Sequence, residues 1–306
     1  MRVFALSDIH ADYHENMAWL QAVPAHGAED VLILAGDVSD NLDTLGAALS
    51  ILRSKFARIF FVPGNHELWV RRGECPDSMA KFTRVLELCS SLGVETSPGK
   101  VWGARANQGA WVVPLFAWYE KPDDGPGSLF VPREGEDSTL AMWADDYFTT
   151  WPAFEQGLTV AEAFLHMNRR HLDRDYDAPL ISFSHFVPRT ELIRPAEEAR
   201  VAAGSAVRDA NPRFNFSRVA GCAGLEAQIR RLGAHMHVYG HQHRNRRRLI
   251  DGVLYLSHCL GYPEERTRGY ISDVANGPLL IWDTGIRSPS DDAIYIRRFS
   301  SELGRG

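Results

Sequence analysis

Side chains able to bind a metal or move a proton follow one apolar run after another in this sequence. Ser7-Asp8-Ile9-His10 comes directly after Val3 to Leu6, Gly36-Asp37 after Val31 to Ala35, and Gly64-Asn65-His66-Glu67 after Ile59 to Val62 and Pro63. Further on, Ser184-His185 follows Leu180 to Phe183, and Gly240-His241-Gln242-His243 follows His237 to Tyr239. The candidate ligands are therefore Asp8, His10, Asp37, Asn65, His185, His241 and His243. This mixed oxygen and nitrogen set suits Mn, Fe or Zn rather than Ca or thiolate-preferring metals. It exceeds what one tetrahedral ion uses. Two ions about 3.5–4 Å apart sharing a carboxylate would use it fully, with Asp37 as the natural bridge. Taken singly, Asp8 reads equally well as a helix cap, Asp37 as a turn residue, and His185 or His241 as partly buried histidines. Their joint occurrence at strand ends argues for a site.

Two such cations would lower the pKa of a bridging water toward neutrality and set a hydroxide to attack an electrophile in line. A phosphorus centre fits, because phosphoryl transfer needs positioning and charge stabilisation more than covalent help. His66 stands beside Asn65 but outside the ligand set. It is assigned as general acid for the leaving alkoxide, or as a donor to the phosphate. That role needs an imidazolium near neutral pH, which a nearby carboxylate would favour.

The elements that must position these groups are legible around them. The apolar runs are continuous, as in parallel strands covered on both faces, and Glu15 to Val23 and Asp43 to Phe56 between them repeat apolar residues at helical spacing. The intervals from Asp8 to Asp37 and from Asp37 to Asn65 each match one β-α-β unit of roughly 30 residues. Strands one crossover apart lie side by side, so the polar groups converge at the carboxyl edge of the sheet, where α/β folds bind ligands. Helices are expected at Pro76 to Leu92, Thr159 to Leu172 and Leu225 to Leu232. Further strands are expected at Val112 to Phe116, Leu180 to Phe183, His237 to Tyr239, Val253 to Leu256, Leu279 to Trp282 and near Ala293 to Phe299. Residues 119–157 are rich in Pro, Gly, acids and aromatics without a sustained period, and read as a long excursion from the core. Its residues Tyr119, Trp143, Asp145, Asp146, Tyr147 and Trp151, with Trp118 before it, would wall the site or form a satellite apolar cluster that pins the loop. The whole chain, 1–306, is expected to be a single α/β domain with two stacked sheets.

At 306 residues, 45% hydrophobic and 24% charged, the composition is that of a soluble globular protein, and a net charge of −6 provides no general basic field for nucleic acid or an anionic membrane. The arginines at 244, 246, 247 and 248 alternate across a strand and read as a solvated edge. The four cysteines form no C-x-x-C pair and are expected to be reduced. The apolar run at the N-terminus is too short for a signal-peptide core or a membrane span, so a cytoplasmic location is expected.

Together, Asp8-x-His10, Gly36-Asp37-x-x-Asp40, Gly64-Asn65-His66-Glu67, Ser184-His185 and Gly240-His241-x-His243 resemble the five signature blocks of the calcineurin-like metallophosphoesterase superfamily. The resemblance implies a four-layer α/β/β/α sandwich with a dinuclear centre at the strand C-terminal ends. It also implies one metal held by Asp8, His10, Asp37 and His243, and a second held by Asp37, Asn65, His185 and His241. Asp40 falls where family members carry the acid that pairs with the catalytic histidine, and Asn65 and His66 would also contact substrate. Phosphoprotein phosphatases of this superfamily carry Asp-Arg-Gly and an Arg before Gly-Asn-His-Glu, where this chain has Asp40-Asn41-Leu42 and Pro63. A small phosphomonoester or phosphodiester is therefore the expected substrate, with Arg189 as a replacement phosphate contact. A phosphoprotein phosphatase remains an alternative. A nuclease would want a basic groove, and a non-catalytic scaffold would be expected to lack a ligand or His66, none of which is missing. Gly261 to Arg266, "GYPEER", resembles a block that follows the last histidine motif in many relatives and is expected to face the site. Glu67 is read as opening the next helix, where its charge suits the dipole.

Overall fold

A computed structural model describes residues 1–71, 73–103, 109–193 and 213–284. The first sheet contains β1 (Arg2–Leu6), β2 (Val31–Leu34), β3 (Arg58–Phe61) and β10 (Leu279–Asp283), in the order β10-β1-β2-β3. β1, β2 and β3 are parallel, and β10 runs antiparallel to β1. The second sheet contains β4 (Gly99–Val101), β5 (Ala110–Pro114), β6 (Leu180–Phe183), β7 (Met236–Tyr239), β8 (Arg246–Ile250) and β9 (Val253–Ser257), in the order β4-β5-β6-β7-β9-β8. Its four inner strands are parallel and both edges antiparallel.

Side chains alternate across a strand, and here the alternation builds two cores. Val3, Ala5, Val31, Ile33 and Phe60 point toward the second sheet and join its Val113, Ile181 and Val238. Phe4, Leu6, Leu32, Leu34, Ile59 and Phe61 point the other way. There they meet Leu20 of α1 (His14–Ala22), Leu45, Leu49 and Leu52 of α2 (Leu42–Arg53), and Val85 and Cys89 of α3 (Ser78–Ser91). Each such side chain, fully buried, contributes about 1.5–3 kcal/mol relative to exposure. Phe164 of α5 (Val160–Met167) and Leu225 and Ile229 of α7 (Ala223–Arg231) pack on the second sheet. The layers are therefore helix, sheet, sheet, helix, as expected.

The helix expected over Thr159 to Leu172 divides. Thr159 caps α5 in a capping box with Glu162, but Asn168 ends it and α6 (Arg169–Leu172) follows. The Asn168 amide accepts from Phe116 N at 2.9 Å and donates to Phe116 O at 2.8 Å, so a contact with the segment just after β5 sets the break. β8 is a strand of the second sheet that the apolar pattern does not announce, although it is the edge that the arginine run suggests. Its arginines are not simply solvated: Arg246 donates to Leu192 O at 2.5 Å and Arg248 to Glu191 O. The strand expected near Ala293 to Phe299 lies outside the described residues. The excursion carries the short helix α4 (Asp145–Phe148) and a 3-10 turn, Glu155–Gly157, and its Leu129 and Leu140 join the inter-sheet core. Among the described residues, no helix is long and apolar enough to cross a membrane.

Candidate metal centre

All the candidate ligands leave the carboxyl ends of parallel strands: Asp8 and His10 after β1, Asp37 after β2, Asn65 after β3, His185 after β6, and His241 and His243 after β7. Residues beyond β9 stitch the two sheets together here, with Ser7 N donating to His258 O at 2.9 Å and Gly261 N to Asp8 O at 2.8 Å. Asp8, His10, Asp37, His241 and His243 all have left-handed backbones, with φ of 50, 46, 56, 70 and 50°. Such conformations cost on the order of 1–3 kcal/mol each in non-glycine residues and concentrate at functional sites. Glycines let the loops close: a Cβ on Gly64 would sit 2.1 Å from Asp37 Oδ1, and one on Gly36, at φ +82°, 2.6 Å from His185 Nδ1.

The ligand atoms of Asp8, His10, Asp37 and His243 lie within 4.8 Å of one another, and so do those of Asp37, His185 and His241. Asp37 belongs to both groups. Asn65 Oδ1 joins the second group, 3.1 Å from His185 Nε2.

Hydrogen bonds behind the imidazoles decide which nitrogen faces inward. His185 Nδ1 lies 2.8 Å from Ala35 O, His241 Nε2 lies 2.9 Å from Val219 O, and His243 Nδ1 lies 2.6 Å from Glu265 Oε2. Each outer nitrogen donates, which turns His185 Nε2, His241 Nδ1 and His243 Nε2 toward the cluster. There His185 Nε2 meets His241 Nδ1 at 3.2 Å, and His10 Nε2 meets His243 Nε2 at 2.9 Å. Crowded nitrogen lone pairs beside two buried carboxylates call for positive charge. Burial opposes charging His185, yet Asp37 and Asp8 outweigh it and hold the imidazole up at about 9. Against the same opposition, Asp8 and Glu265 hold His243 up at about 10. Burial and the charge of His185 push His241 down to about 3. Divalent cations answer the same electrostatic demand, so the donor set fits them.

Three carboxylates stand behind the ligands in roles that the sequence does not announce. Glu67 does not begin the next helix. It is fully buried in a 3-10 turn, His66–Leu68, and accepts from the backbone N–H groups of Asp37, Val38, Ser39 and Gly64 at 2.6–3.0 Å, clamping the loops after β2 and β3. Asp145, also fully buried, accepts from Asn65 Nδ2 at 2.8 Å and Trp69 Nε1 at 2.7 Å. Glu265 orients His243 from α8 (Pro263–Thr267), within the Gly261 to Arg266 block that was expected to face the site.

His66 stands at the edge of the cluster, its Nε2 3.8 Å from Asp37 Oδ2 and 3.5 Å from the Tyr262 hydroxyl, with its ring centroid 3.7 Å from that of Trp69. Burial lowers its pKa from the ordinary value; Asp37 and Asp40 pull upward, while His243 and His185 add to the lowering. The protein alone therefore does not favour the expected imidazolium. Asp40 accepts a hydrogen bond from Arg71, and the Lys81 ammonium donates to the backbone carbonyls of Asp40 and Trp69, so Lys81 ties the loops flanking His66. Arg189 is committed differently from the expectation. It pairs with Glu191 at 2.5 Å, Glu226 at 3.2 Å and Asp251 at 3.1 Å, and its guanidinium lies over the Tyr255 ring. Those carboxylates balance the charge it was to offer a phosphate, and none of these contacts joins it to the ligand cluster. The excursion is pinned by aromatic packing of Trp118 and Trp151 on Phe164, yet Trp143 also meets His241 edge-on at 5.8 Å. It is both a satellite cluster and a wall.

Stacked sheets, strand-end ligands and a shared aspartate define a class of metal-dependent phosphoric ester hydrolases. The calcineurin-like phosphoesterase family pattern matches residues 1–245, and the chain belongs to that family. Over 283 residues it is 28% identical to the acyl-carrier-protein phosphodiesterase PptH of Mycobacterium tuberculosis, spanning 87% of this chain and 79% of that one. The crystal structure of phosphopantetheinyl hydrolase PptH from Mycobacterium tuberculosis shares the fold, with a TM-score of 0.71 and 23% identity over 94% of this chain and 97% of that chain.

Proposed function

We propose that the protein is a dinuclear metal phosphodiesterase acting on the phosphodiester that joins a phosphopantetheinyl arm to an acyl carrier protein. The observation that carries this reading is the pair of ligand groups sharing Asp37, with His66 Nε2 3.8 Å from the shared carboxylate. Likeness to PptH supports the diester and the protein-attached substrate. A protein-borne diester replaces the small phosphate ester expected from the sequence.

Asp8, His10, Asp37 and His243 would hold one divalent cation, and Asp37, Asn65, His185 and His241 the other, with Mn, Fe or Zn as the metals. When bound, the pair supplies a water of lowered pKa and positive charge against the phosphoryl oxygens. The protein's own contribution is position and proton transfer. Asn65 and His66 contact the phosphoryl group. Its negative charge, together with Asp37 and Asp40, favours the imidazolium that burial disfavours. His66 then gives its Nε2 proton to the leaving alkoxide as the P–O bond breaks. Tyr262 and Trp69 confine the His66 ring between them. The four free, buried cysteines accord with the cytoplasmic location that belongs to this reading.

The test is a hydrolysis panel in Mn-supplemented buffer after EDTA treatment. It sets a phosphopantetheinyl carrier protein against an aryl phosphomonoester, a bis-aryl phosphodiester, cyclic nucleotides and a phosphopeptide. Release of the arm from the carrier protein, with the highest kcat/KM in the panel, is expected. A preference for the monoester would overturn the diesterase reading, and full activity without metal would overturn the mechanism.

A further inference from the structure

Asn65 is the one candidate ligand with an amide, and an amide can turn either end toward a cation. A ligand must present Oδ1; the reversed amide would present N–H groups and repel the ion. The loop after β3 does not settle the choice, because Asn65 sits in the 3-10 turn region with its side chain free of any cap hydrogen bond. The choice is settled from 80 residues away, where Asn65 Nδ2 donates at 2.8 Å to Asp145 Oδ1. The Trp69 indole N–H, which can only donate, points at this same oxygen, so the oxygen is an acceptor, the amide nitrogen must face it, and Asn65 Oδ1 must face His185 Nε2 at 3.1 Å. The same Asp145 oxygen accepts from Trp69 Nε1 at 2.7 Å, and the Trp69 ring packs on His66. One fully buried carboxylate thus grips both a ligand and the wall behind the proposed general acid.

We infer that Asp145, at the start of the short helix in the 119–157 excursion, is a positioning residue that fixes the amide orientation of Asn65 and thereby its capacity to hold a metal ion. The inference rests on the proposed ligand set. It also gives the excursion a second purpose besides walling the site: folding of that segment onto the body completes the metal centre. An acceptor at this place is the element that matters, because without it nothing tells the two ends of the Asn65 amide apart.

The experiment exploits this polarity. Metal content and Mn affinity are measured by calorimetry on EDTA-stripped full-length protein, with thermal melts to verify folding, for Asn65→Ala, Asp145→Ala, Asn65→Asp and the double variant Asn65→Asp/Asp145→Ala. Asp145→Ala removes the acceptor and is expected to weaken binding of one Mn by about 10–100-fold, the usual effect of losing an outer partner of a ligand. Asn65→Asp alone sets two carboxylates face to face and is also expected to weaken it. The double variant removes that opposition and places at position 65 a carboxylate whose two ends are both oxygens and need no orienting, and is expected to recover most of the lost affinity. A generic packing role for Asp145 would instead make the two losses add. Unchanged Mn affinity in Asp145→Ala, or a double variant no better than additive, would overturn the inference while leaving Asn65 as a ligand. Unchanged Mn binding in Asn65→Ala would overturn the ligand assignment beneath it.

Discussion

The ring of candidate ligands and the ring of carboxylates behind it are built from different parts of the chain. Ligands leave the tips of parallel strands in both sheets, and five of them hold left-handed backbones to do so. The supporting carboxylates come from short helical segments laid around those tips: Glu67 from a 3-10 turn, Asp145 from α4 and Glu265 from α8. Strand tips place atoms accurately because the strands are fixed by ladder hydrogen bonds and two cores. They do not set the rotation of an imidazole or an amide. Acceptors behind them do: Asp145 for the Asn65 amide, Glu265 for His243, and the backbone carbonyls of Ala35 and Val219 for His185 and His241, while Glu67 clamps the loop backbone. The comparison leads to a graded response: changes at the ligands or at His66 beside them reach the chemistry, changes in the outer ring reach metal affinity, and charges remote from both reach neither.

The largest effect is expected at His66, which the ligand set does not include. His66→Ala should lower kcat by roughly 10²–10⁴-fold, the usual contribution of a general acid, with metal content per chain unchanged. Loss of metal in this variant would move His66 into the inner ring and break the assignment. A smaller effect is expected at Glu265, whose carboxylate lies 2.6 Å from His243 Nδ1 and also accepts from Tyr262 N at 2.8 Å. Glu265→Gln should weaken metal binding by roughly 10–100-fold and be largely corrected in turnover assays by added Mn. A kcat loss that saturating Mn does not correct would mean that Glu265 acts on the reaction itself.

The two rings are unequally legible in the sequence, for a physical reason. Asp8, Asp37 and Asn65 stand out because each ends a continuous apolar run, and the β-α-β interval brings their strands side by side. The supporting residues carry no such mark. Asp145 lies 80 positions from Asn65 in a segment without period, so nothing local announces the contact. Glu67 is visible but misleading: an acid after a strand suits a helix dipole, and only burial reveals that four backbone N–H groups hold it. The same contrast runs through the fold. Inner strands such as Leu180–Phe183 are legible to the residue, whereas β8, an edge of three arginines stabilised by carbonyls of another loop, has no apolar pattern to read.

Arg189 provides the smallest expected effect and the control for the comparison. It lies outside both rings in a network with Glu191, Glu226 and Asp251, where two of the three acids are substantially solvent-exposed. Arg189→Ala should leave kcat/KM within about twofold and cost only about 0–1 kcal/mol of stability, as expected for exposed ion pairs. The cost should also depend on pH in a definite direction. The Arg189 hydrogen bond holds the Glu191 carboxyl down at about 2, against an unfolded value near 4.5. A carboxylate depressed in the folded state stabilises it above the unfolded pKa, and the benefit disappears as pH falls through the folded one. Chemical denaturation of the two proteins should therefore show the full difference at neutral pH and a shrinking one from about pH 4.5 toward 2. A large loss of kcat/KM in Arg189→Ala at neutral pH would return this arginine to the substrate site and redraw the boundary between the rings and the surrounding surface.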